Sequence, residues 1–299
     1  MSGIHRAMQK AERDGLLTWT QNDERRGAAP SSVEAPPRIS RADSAVSLVD
    51  PPPTWEIPDV DGAERQPEGI GEALPFSPLF VVARDPASPA AEQYRLLRTR
   101  LEGRENAGRT QVLVVTSPRV GEGKTVTSAN LALTMSQEFQ HKVLLLEADL
   151  RRPILAELFG AAPGPGLVDV VTGTATIDDA LVMVPGQQLL LLPAGSGAAR
   201  STELLASTSM QRTLDMLRSR FDRIVIDTPP MTLADTHVLA RLADGLLIVV
   251  RSGVTPRPAV ERALAAVDRR RLVGIVLNEV DEKPDGYAYA GVYERSPAE

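Results

Sequence analysis

From residue 90 onward, short apolar runs alternate with segments whose apolar residues recur at helical spacing. The runs predict strands and the segments predict helices, because the two structures bury apolar side chains with different periods. The predicted strands are Val112–Thr116, Val143–Glu147, Leu189–Leu192, Arg223–Asp227, Leu246–Val250 and Leu272–Leu277. The predicted helices are Ala90–Leu101, Lys124–Glu138, Ile154–Phe159, Ile177–Val184, Thr202–Ser219, Ala234–Arg241 and Pro258–Arg270.

Strands that alternate with helices in this way predict βαβ crossovers and a parallel sheet. Several of the predicted strands are continuously apolar, as strands covered on both faces of a parallel sheet are. We therefore expect an α/β fold over residues 90–280, with a doubly wound, mostly parallel sheet and helices on both of its faces.

The two ends of the chain have a different texture. Apolar residues at helical spacing predict a short amphipathic helix over residues 1–15, which either docks on a partner or lipid surface or packs and frays locally. Residues 16–89 are rich in proline and polar residues and have no sustained apolar period, so they predict a disordered Pro-rich linker. Residues 281–299 are polar and contain glycine, so they predict a flexible tail.

Composition narrows the function classes. The chain has no cysteine, which excludes disulfides, thiolate metal sites, iron–sulfur clusters and a thiol nucleophile. Lys and Arg total 33 against 39 Asp and Glu, and the resulting net charge of −6 argues against a globally basic nucleic-acid binder. The apolar runs are strand-sized and fall short of the roughly 20 residues that cross a bilayer. We expect a cytoplasmic protein that binds no nucleic acid and reaches the inner face of the cell membrane through a partner.

A glycine-containing turn lies between the first predicted strand and the helix that follows it, which is the setting of a phosphate-binding loop. Gly121 and Gly123 allow a tight turn that directs backbone N–H groups at phosphate oxygens, and the helix N-terminus adds its positive dipole end. Lys124 would neutralise the β- and γ-phosphates, and Thr125 offers a hydroxyl to Mg²⁺. Pro118 stands where such loops usually begin with glycine. The nucleotide-binding residues expected are Gly121, Glu122, Gly123, Lys124, Thr125, Val126 and, for a purine ring, Asn278 at the end of the last strand.

Three carboxylates lie at the ends of predicted strands, where ligands of open α/β sheets bind. They are Glu147 and Asp149 after one strand and Asp227 at the end of another. Placed together, they would repel one another without a cation, and Mg²⁺ suits the site because it binds few protein groups alongside waters and phosphates. The metal ligands expected are Thr125, Asp149 and Asp227, and the catalytic residues expected are Lys124, Glu147, Asp149 and Asp227.

In their order and content these motifs resemble those of the bacterial tyrosine autokinases (BY-kinases), P-loop proteins that accompany polysaccharide chain-length and export proteins. Residues 118–125 resemble the Walker A loop of that family, with its Gly-Glu-Gly-Lys-Thr core. Residues 144–151 resemble its Asp-x-Asp-x-Arg motif, but Glu147 replaces the first aspartate. Residues 224–230 resemble its Walker B motif and end in Asp-Thr-Pro-Pro. The similarity covers about residues 90–299.

The resemblance implies a P-loop NTPase fold of the MinD/ParA type and an ATP- and Mg²⁺-dependent protein-tyrosine kinase. The family assigns the catalytic base to the position of Glu147, whose side chain is one methylene longer than aspartate, so a misplaced base could slow the chemistry. Asp149 would assist Mg²⁺, and Asp227 would bind it through water. The chain would then regulate exopolysaccharide or capsule synthesis and export.

The resemblance also implies an assembly. A helix with the pattern Glu-x-x-Arg-x-x-Arg serves ring formation in the family, and here it holds Glu92, Arg95 and Arg98. The autophosphorylated tail of the family matches the tyrosines clustered in the last 13 residues, Tyr287, Tyr289 and Tyr293. We therefore expect a ring-like homo-oligomer that transfers phosphate in trans and is activated by a membrane-embedded polysaccharide chain-length determinant protein.

Two other functions stay open. A partitioning or positioning ATPase of the ParA/MinD type would hydrolyse ATP to switch between monomer and dimer. Its signature lysine near the start of the Walker loop is replaced here by Arg119, which disfavours that class. An ATP-binding pseudokinase that acts as a scaffold for polysaccharide assembly is left open by Glu147. The charged helix also has a simpler interpretation as a solvated face, and the tail as an end with incidental tyrosines.

Overall fold

The computed structural model describes residues 77–103, 110–138, 141–195 and 200–280. The predictions for residues 1–76 and 281–299 lie outside these ranges, among them the amphipathic helix, most of the linker and the tyrosine tail. The strands are β1 Val112–Thr116, β2 Val143–Glu147, β3 Val182–Met183, β4 Leu189–Leu192, β5 Arg223–Asp227, β6 Gly245–Arg251 and β7 Leu272–Asn278. The helices are α1 Val81–Arg84, α2 Pro89–Gly103, α3 Lys124–Ser136, α4 Leu155–Leu158, α5 Leu167–Thr172, α6 Ile177–Ala180, α7 Ser201–Leu205, α8 Thr208–Arg220, α9 Ala234–Leu242 and α10 Arg257–Ala265.

The strands form one sheet in the order β3-β4-β2-β5-β1-β6-β7. Every neighbouring pair is parallel except β3 and β4, which are antiparallel, so the predicted mostly parallel sheet is confirmed. Because β2, β5 and β1 are adjacent and parallel, their carboxyl ends meet at one edge of the sheet, where ligands of open α/β sheets bind.

Both faces of the sheet are covered, as the apolar strands predict. In β1, Val112 and Val114 pack into a cluster with residues of α5, α8 and α9. The alternate residues Leu113 and Val115 pack on the other face with α1, α2 and α3. All five residues of β1 are buried, which is typical of a central parallel strand.

Among the described residues, no helix is long and apolar enough to span a bilayer.

Three predicted helices are wrong in part. The segment Ile177–Val184 is helical only to Ala180, and β3 follows it. Gly186, at φ 68, allows the turn that brings Val184 N within 3.0 Å of Leu189 O, so this stretch pairs with β4 instead of continuing the helix.

The predicted helix Thr202–Ser219 is divided into α7 and α8. Ser207 breaks it, because its backbone is extended and its side chain accepts the Met210 N–H as an N-cap. The predicted helix Pro258–Arg270 is also too long, since α10 ends at Ala265. Helix α5 is missing from the prediction.

The predicted linker extends too far along the chain, because its last residues belong to the folded domain. Phe80 and Val82 are fully buried, and the rings of Phe80 and Phe159 lie 4.4 Å apart. Asn130 in α3 holds this segment: its Oδ1 accepts the Val82 N–H at 3.1 Å and its Nδ2 donates to Leu79 O at 2.9 Å. The domain therefore begins at or before Ser77, not at residue 90.

Candidate active site

The predicted phosphate loop joins β1 to α3 at the sheet edge described above. Gly121 and Gly123 adopt φ angles of 81° and 89°, in the left-handed region that glycine enters without steric cost. Helix α3 begins directly after Gly123, at Lys124. A glycine turn that leads into a helix N-terminus presents backbone N–H groups and the positive end of the helix dipole, which together suit a phosphate group.

Four predicted site residues meet beside this loop. Lys124 Nζ lies 3.0 Å from Asp149 Oδ2 and 3.1 Å from Thr125 Oγ1. Thr125 Oγ1 in turn donates to Asp227 Oδ2 at 2.8 Å. The Asp149 side chain is 8% exposed and that of Lys124 14%, so this ion pair is largely shielded from water. The structure thus brings together Lys124, Thr125, Asp149 and Asp227.

Asp227 is a buried carboxyl at the end of β5. Burial raises its pKa from 3.8 to about 6, and the charge of Lys124 and the hydroxyl of Thr125 offset part of that effect. Ser128, which the sequence analysis missed, also donates to Asp227, with Oγ 3.2 Å from Oδ1. It lies one turn after Thr125 in α3, and this helical spacing was the available signal.

These side chains fit a magnesium ion bound together with a nucleotide. A hydroxyl and a carboxylate at 2.8 Å form a small set of oxygen donors, and Mg²⁺ usually keeps several waters and takes phosphate oxygens as further ligands. Within the described ranges, no group of three or more His, Asp and Glu side chains forms a protein cage for a metal. A site of this kind depends on the nucleotide to complete it.

Glu147 is arranged differently from the base that the sequence predicts. Its Oε1 accepts the N–H groups of Ile154 and Leu155 at 2.5 and 2.6 Å, and its Oε2 accepts the Ala194 N–H at 3.1 Å. Burial raises the pKa of Glu147, and the three backbone hydrogen bonds act against that rise. Both carboxylate oxygens therefore hold main chain in place, tying the start of α4 to the segment after β4.

Asn278, predicted to bind a purine ring, contacts the phosphate loop itself. Its Nδ2 donates to Glu122 O at 3.1 Å. A Cβ added at Gly123 would lie 2.1 Å from the same nitrogen, so the amide packs directly against the loop. Glu122 is buried, and Val126 lies half-buried in the first turn of α3. Contacts of these three residues with a nucleotide stay a prediction.

Arg151, the arginine of the Asp-x-Asp-x-Arg motif, pairs with Asp235, an acidic residue that no sequence motif indicates. Arg151 Nε lies 3.0 Å from Asp235 Oδ2, and Ser201 Oγ donates to the same oxygen at 2.8 Å. Thr202 Oγ1 donates to Asp235 Oδ1. Burial raises the pKa of Asp235, but Arg151 and the two hydroxyls lower it further, so that the pKa lies below its ordinary value. This network connects the turn after β2 with α7 and α9.

The predicted assembly residues lie on α2, whose helical conformation is confirmed. Arg95 pairs with Glu92 at 2.7 Å and donates to Pro86 O at 2.8 Å. Arg98 is bound more deeply: its Nη1 donates to Thr134 O at 2.9 Å, and its Nε lies 3.3 Å from Glu138 Oε1. Arg98 thus ties α2 to the end of α3 within one chain. Its predicted part in a ring, like those of Glu92 and Arg95, stays a prediction.

Comparisons with known proteins agree with this arrangement. The profile of a family described as an AAA domain matches residues 110–269. The tyrosine-protein kinase CpsD of Streptococcus agalactiae is 32% identical over 213 residues, which cover 69% of this chain and 91% of that protein. The tyrosine-protein kinase YwqD of Bacillus subtilis (strain 168) is 31% identical over 215 residues, which cover 71% and 90%.

A solved structure shows a similar fold. The kinase domain of the Escherichia coli tyrosine kinase ETK superposes with a TM-score of 0.66 at 26% sequence identity. The match covers 73% of this chain and 87% of that domain. The structural neighbour and the two sequence relatives are all tyrosine kinases.

Proposed function

Since the chain belongs to the family of P-loop tyrosine-protein kinases of capsule and exopolysaccharide biosynthesis, we propose that it transfers the γ-phosphoryl group of Mg²⁺-ATP to tyrosines of its own C-terminal tail. The observation that carries this proposal is the cluster beside the phosphate loop. Lys124, Thr125, Asp149 and Asp227 are connected there by contacts of 2.8–3.1 Å.

Each residue of this cluster has a part in the proposed transfer. Mg²⁺, held by Thr125 and Asp227, would neutralise charge that develops on the phosphates. Lys124 would leave Asp149 for the phosphate oxygens of ATP, and this exchange would free the Asp149 carboxylate. The chemistry also needs a group that accepts the proton of the attacking tyrosine hydroxyl.

We assign that proton to Asp149 and not to Glu147. Both oxygens of Glu147 accept backbone N–H groups, whereas Asp149 Oδ2 faces the lysine of the phosphate loop. Glu147 then keeps the turn that carries Asp149 in place. Under this assignment, the replacement of the first aspartate of the motif is compatible with an active kinase.

The acceptors in this proposal are Tyr287, Tyr289 and Tyr293, and the reaction runs in trans within a ring-like homo-oligomer. The tail follows β7 directly, and β7 ends at Asn278, beside the phosphate loop. Glu92 and Arg95 on α2 are partly exposed and offer charged groups to a neighbour, while Arg98 holds the helix in position. The activating partner would be the cytoplasmic part of a membrane-embedded polysaccharide chain-length protein.

A mixing experiment tests the transfer. A chain that ends at residue 280 supplies the site without acceptors, and full-length Lys124→Ala supplies acceptors without a working site. With Mg²⁺-ATP, the mixture is expected to form phosphotyrosine on the Lys124→Ala chain. The matched control replaces the first component with the same truncated chain carrying Lys124→Ala. If phosphotyrosine is absent from the mixture while ATP is hydrolysed, the chain is a switch ATPase and not a kinase.

A further inference from the structure

We propose that Thr255, in the segment after β6, is a positioning residue that holds the phosphate loop through the carboxylate of Glu122. The inference rests on the proposed function, because the loop is taken to bind Mg²⁺-ATP. Thr255 follows β6 and precedes α10, and it lies outside the sequence motifs described above.

Glu122 lies between the two glycines of the phosphate loop, and it is only 3% exposed. A buried carboxylate is costly unless hydrogen-bond donors satisfy it. Its Oε2 accepts the backbone N–H of Arg119 at 2.9 Å, which closes the loop on itself. Its Oε1 accepts the hydroxyl of Thr255 at 2.5 Å, and this bond joins the loop to the segment after β6.

The Thr255 hydroxyl is itself held in one orientation. Its oxygen accepts the backbone N–H of Arg251, the last residue of β6, at 3.0 Å. Its single proton is therefore directed at Glu122, and the chain of hydrogen bonds runs from the β6 main chain to the loop. Since β6 is a buried strand of the central sheet, the loop is braced by a rigid element.

A second contact acts on the same loop residue. Asn278, the last residue of β7, donates to Glu122 O at 3.1 Å, and its carbonyl accepts the Ser252 N–H at 2.8 Å. The side chain of Arg251 also forms an ion pair with Glu279, the residue that follows β7. The segment after β6 thus contacts the side chain of Glu122 through Thr255, and the end of β7 contacts its main chain through Asn278.

We call the hydrogen bonds from Arg251 through Thr255 to Glu122 the brace. The brace is expected to affect nucleotide affinity. A loop that spends only part of its time in the binding conformation has an apparent Kd that is raised by the inverse of that fraction. Loss of the Thr255 hydroxyl leaves a buried carboxylate oxygen without its donor, so the braced conformation becomes less populated. Once ATP is bound the loop is in place, and the rate of transfer from the bound complex is retained.

The test compares Thr255→Val, Thr255→Ser and the unaltered full-length chain. Valine preserves the shape and removes the hydroxyl, whereas serine keeps the hydroxyl. Because Thr255 is partly exposed, Thr255→Ala repeats the test without the added methyl group. Thr172→Val is the matched control, since the Thr172 hydroxyl bonds to groups of α5 and of the turn that follows it. Calorimetry gives the Kd for Mg²⁺-ATP, phosphotyrosine formation gives KM and kcat, and thermal unfolding confirms the fold.

We expect Thr255→Val and Thr255→Ala to raise Kd and KM about tenfold, with kcat within about twofold of the unaltered chain. Serine is expected to restore both constants, and Thr172→Val to leave them unchanged. An unchanged Kd in the valine and alanine variants would overturn the positioning role of Thr255 but leave the proposed kinase activity intact. An equal rise in Kd in the serine variant would also overturn this proposal. If the unaltered folded chain binds no Mg²⁺-ATP, the proposed function fails and the brace with it.

Discussion

The replacement Glu147→Gln separates a structural role of this side chain from a catalytic one. Glutamine has nearly the same shape, and its oxygen can still accept the Ile154 and Leu155 N–H groups. Its NH₂ group, however, would face the Ala194 N–H, which the carboxylate now accepts at 3.1 Å. Two donors would then meet, and one buried N–H would lose its acceptor.

The magnitude follows from that single lost bond. A buried donor left without a partner costs about 1–3 kcal/mol. Burial raises the pKa of Glu147, so a neutral amide recovers part of the cost of burying a charge. We expect a net loss of about 1–2 kcal/mol in the free energy of unfolding. In a domain of this size that corresponds to a fall in Tm of roughly 2–8 °C.

The assay measures thermal unfolding and the initial rate of phosphotyrosine formation in Glu147→Gln and in Asp149→Asn. Asp149→Asn is the matched control, because it makes the same change from acid to amide two residues further along the chain. If Asp149 accepts the proton, Glu147→Gln keeps its rate within about threefold, whereas Asp149→Asn loses about a hundredfold or more. A folded Glu147→Gln variant that loses its rate, beside an Asp149→Asn variant that keeps it, would instead make Glu147 the proton acceptor.

Three further predictions concern the loop, the helix α2 and pH. Gly123→Ala should weaken nucleotide binding at least about tenfold by calorimetry, because φ is 89° and a Cβ would lie 2.1 Å from Asn278 Nδ2; unchanged affinity would contradict the loop geometry. Arg98→Met should lower the free energy of unfolding by about 1–2 kcal/mol in denaturant titrations, since its bonds to Thr134 O and Glu138 are lost. Because the pKa of Asp227 is raised to about 6, the nucleotide-free chain should lose stability as the pH rises from 3.8 through 6. The affinity for Mg²⁺-ATP should fall as the pH drops below 6, and a flat pH profile would contradict this role of Asp227.

The parts of the fold that the sequence predicts well are those whose signal is local. The continuous apolar strands and the glycine turn before Lys124 each lie within a few neighbouring residues. Helix α1 escapes prediction because it has four residues and is held by Asn130, which lies 48 residues beyond Val82. Strand β3 escapes because two residues carry no period, and only pairing with β4 defines them.

The same distinction applies to the site. Motif spacing brings Lys124, Thr125, Asp149 and Asp227 to one sheet edge, and the structure places them in contact. The environment of Glu147 depends on Ala194, 47 residues further along the chain, and no motif records that contact. The bond between Thr255 and Glu122 spans 133 residues, so it follows from the order of the strands and not from any local pattern.

The proposed kinase activity requires transfer of phosphate to the tail tyrosines, and peptide mapping by mass spectrometry measures that transfer. The purified full-length chain is incubated with Mg²⁺-ATP and its phosphorylated peptides are mapped, beside Lys124→Ala treated in the same way. We predict phosphate on Tyr287, Tyr289 or Tyr293 in the unaltered chain and none in Lys124→Ala. A folded, ATP-binding chain with no phosphotyrosine, or with the same amount in Lys124→Ala, would contradict the proposed kinase activity.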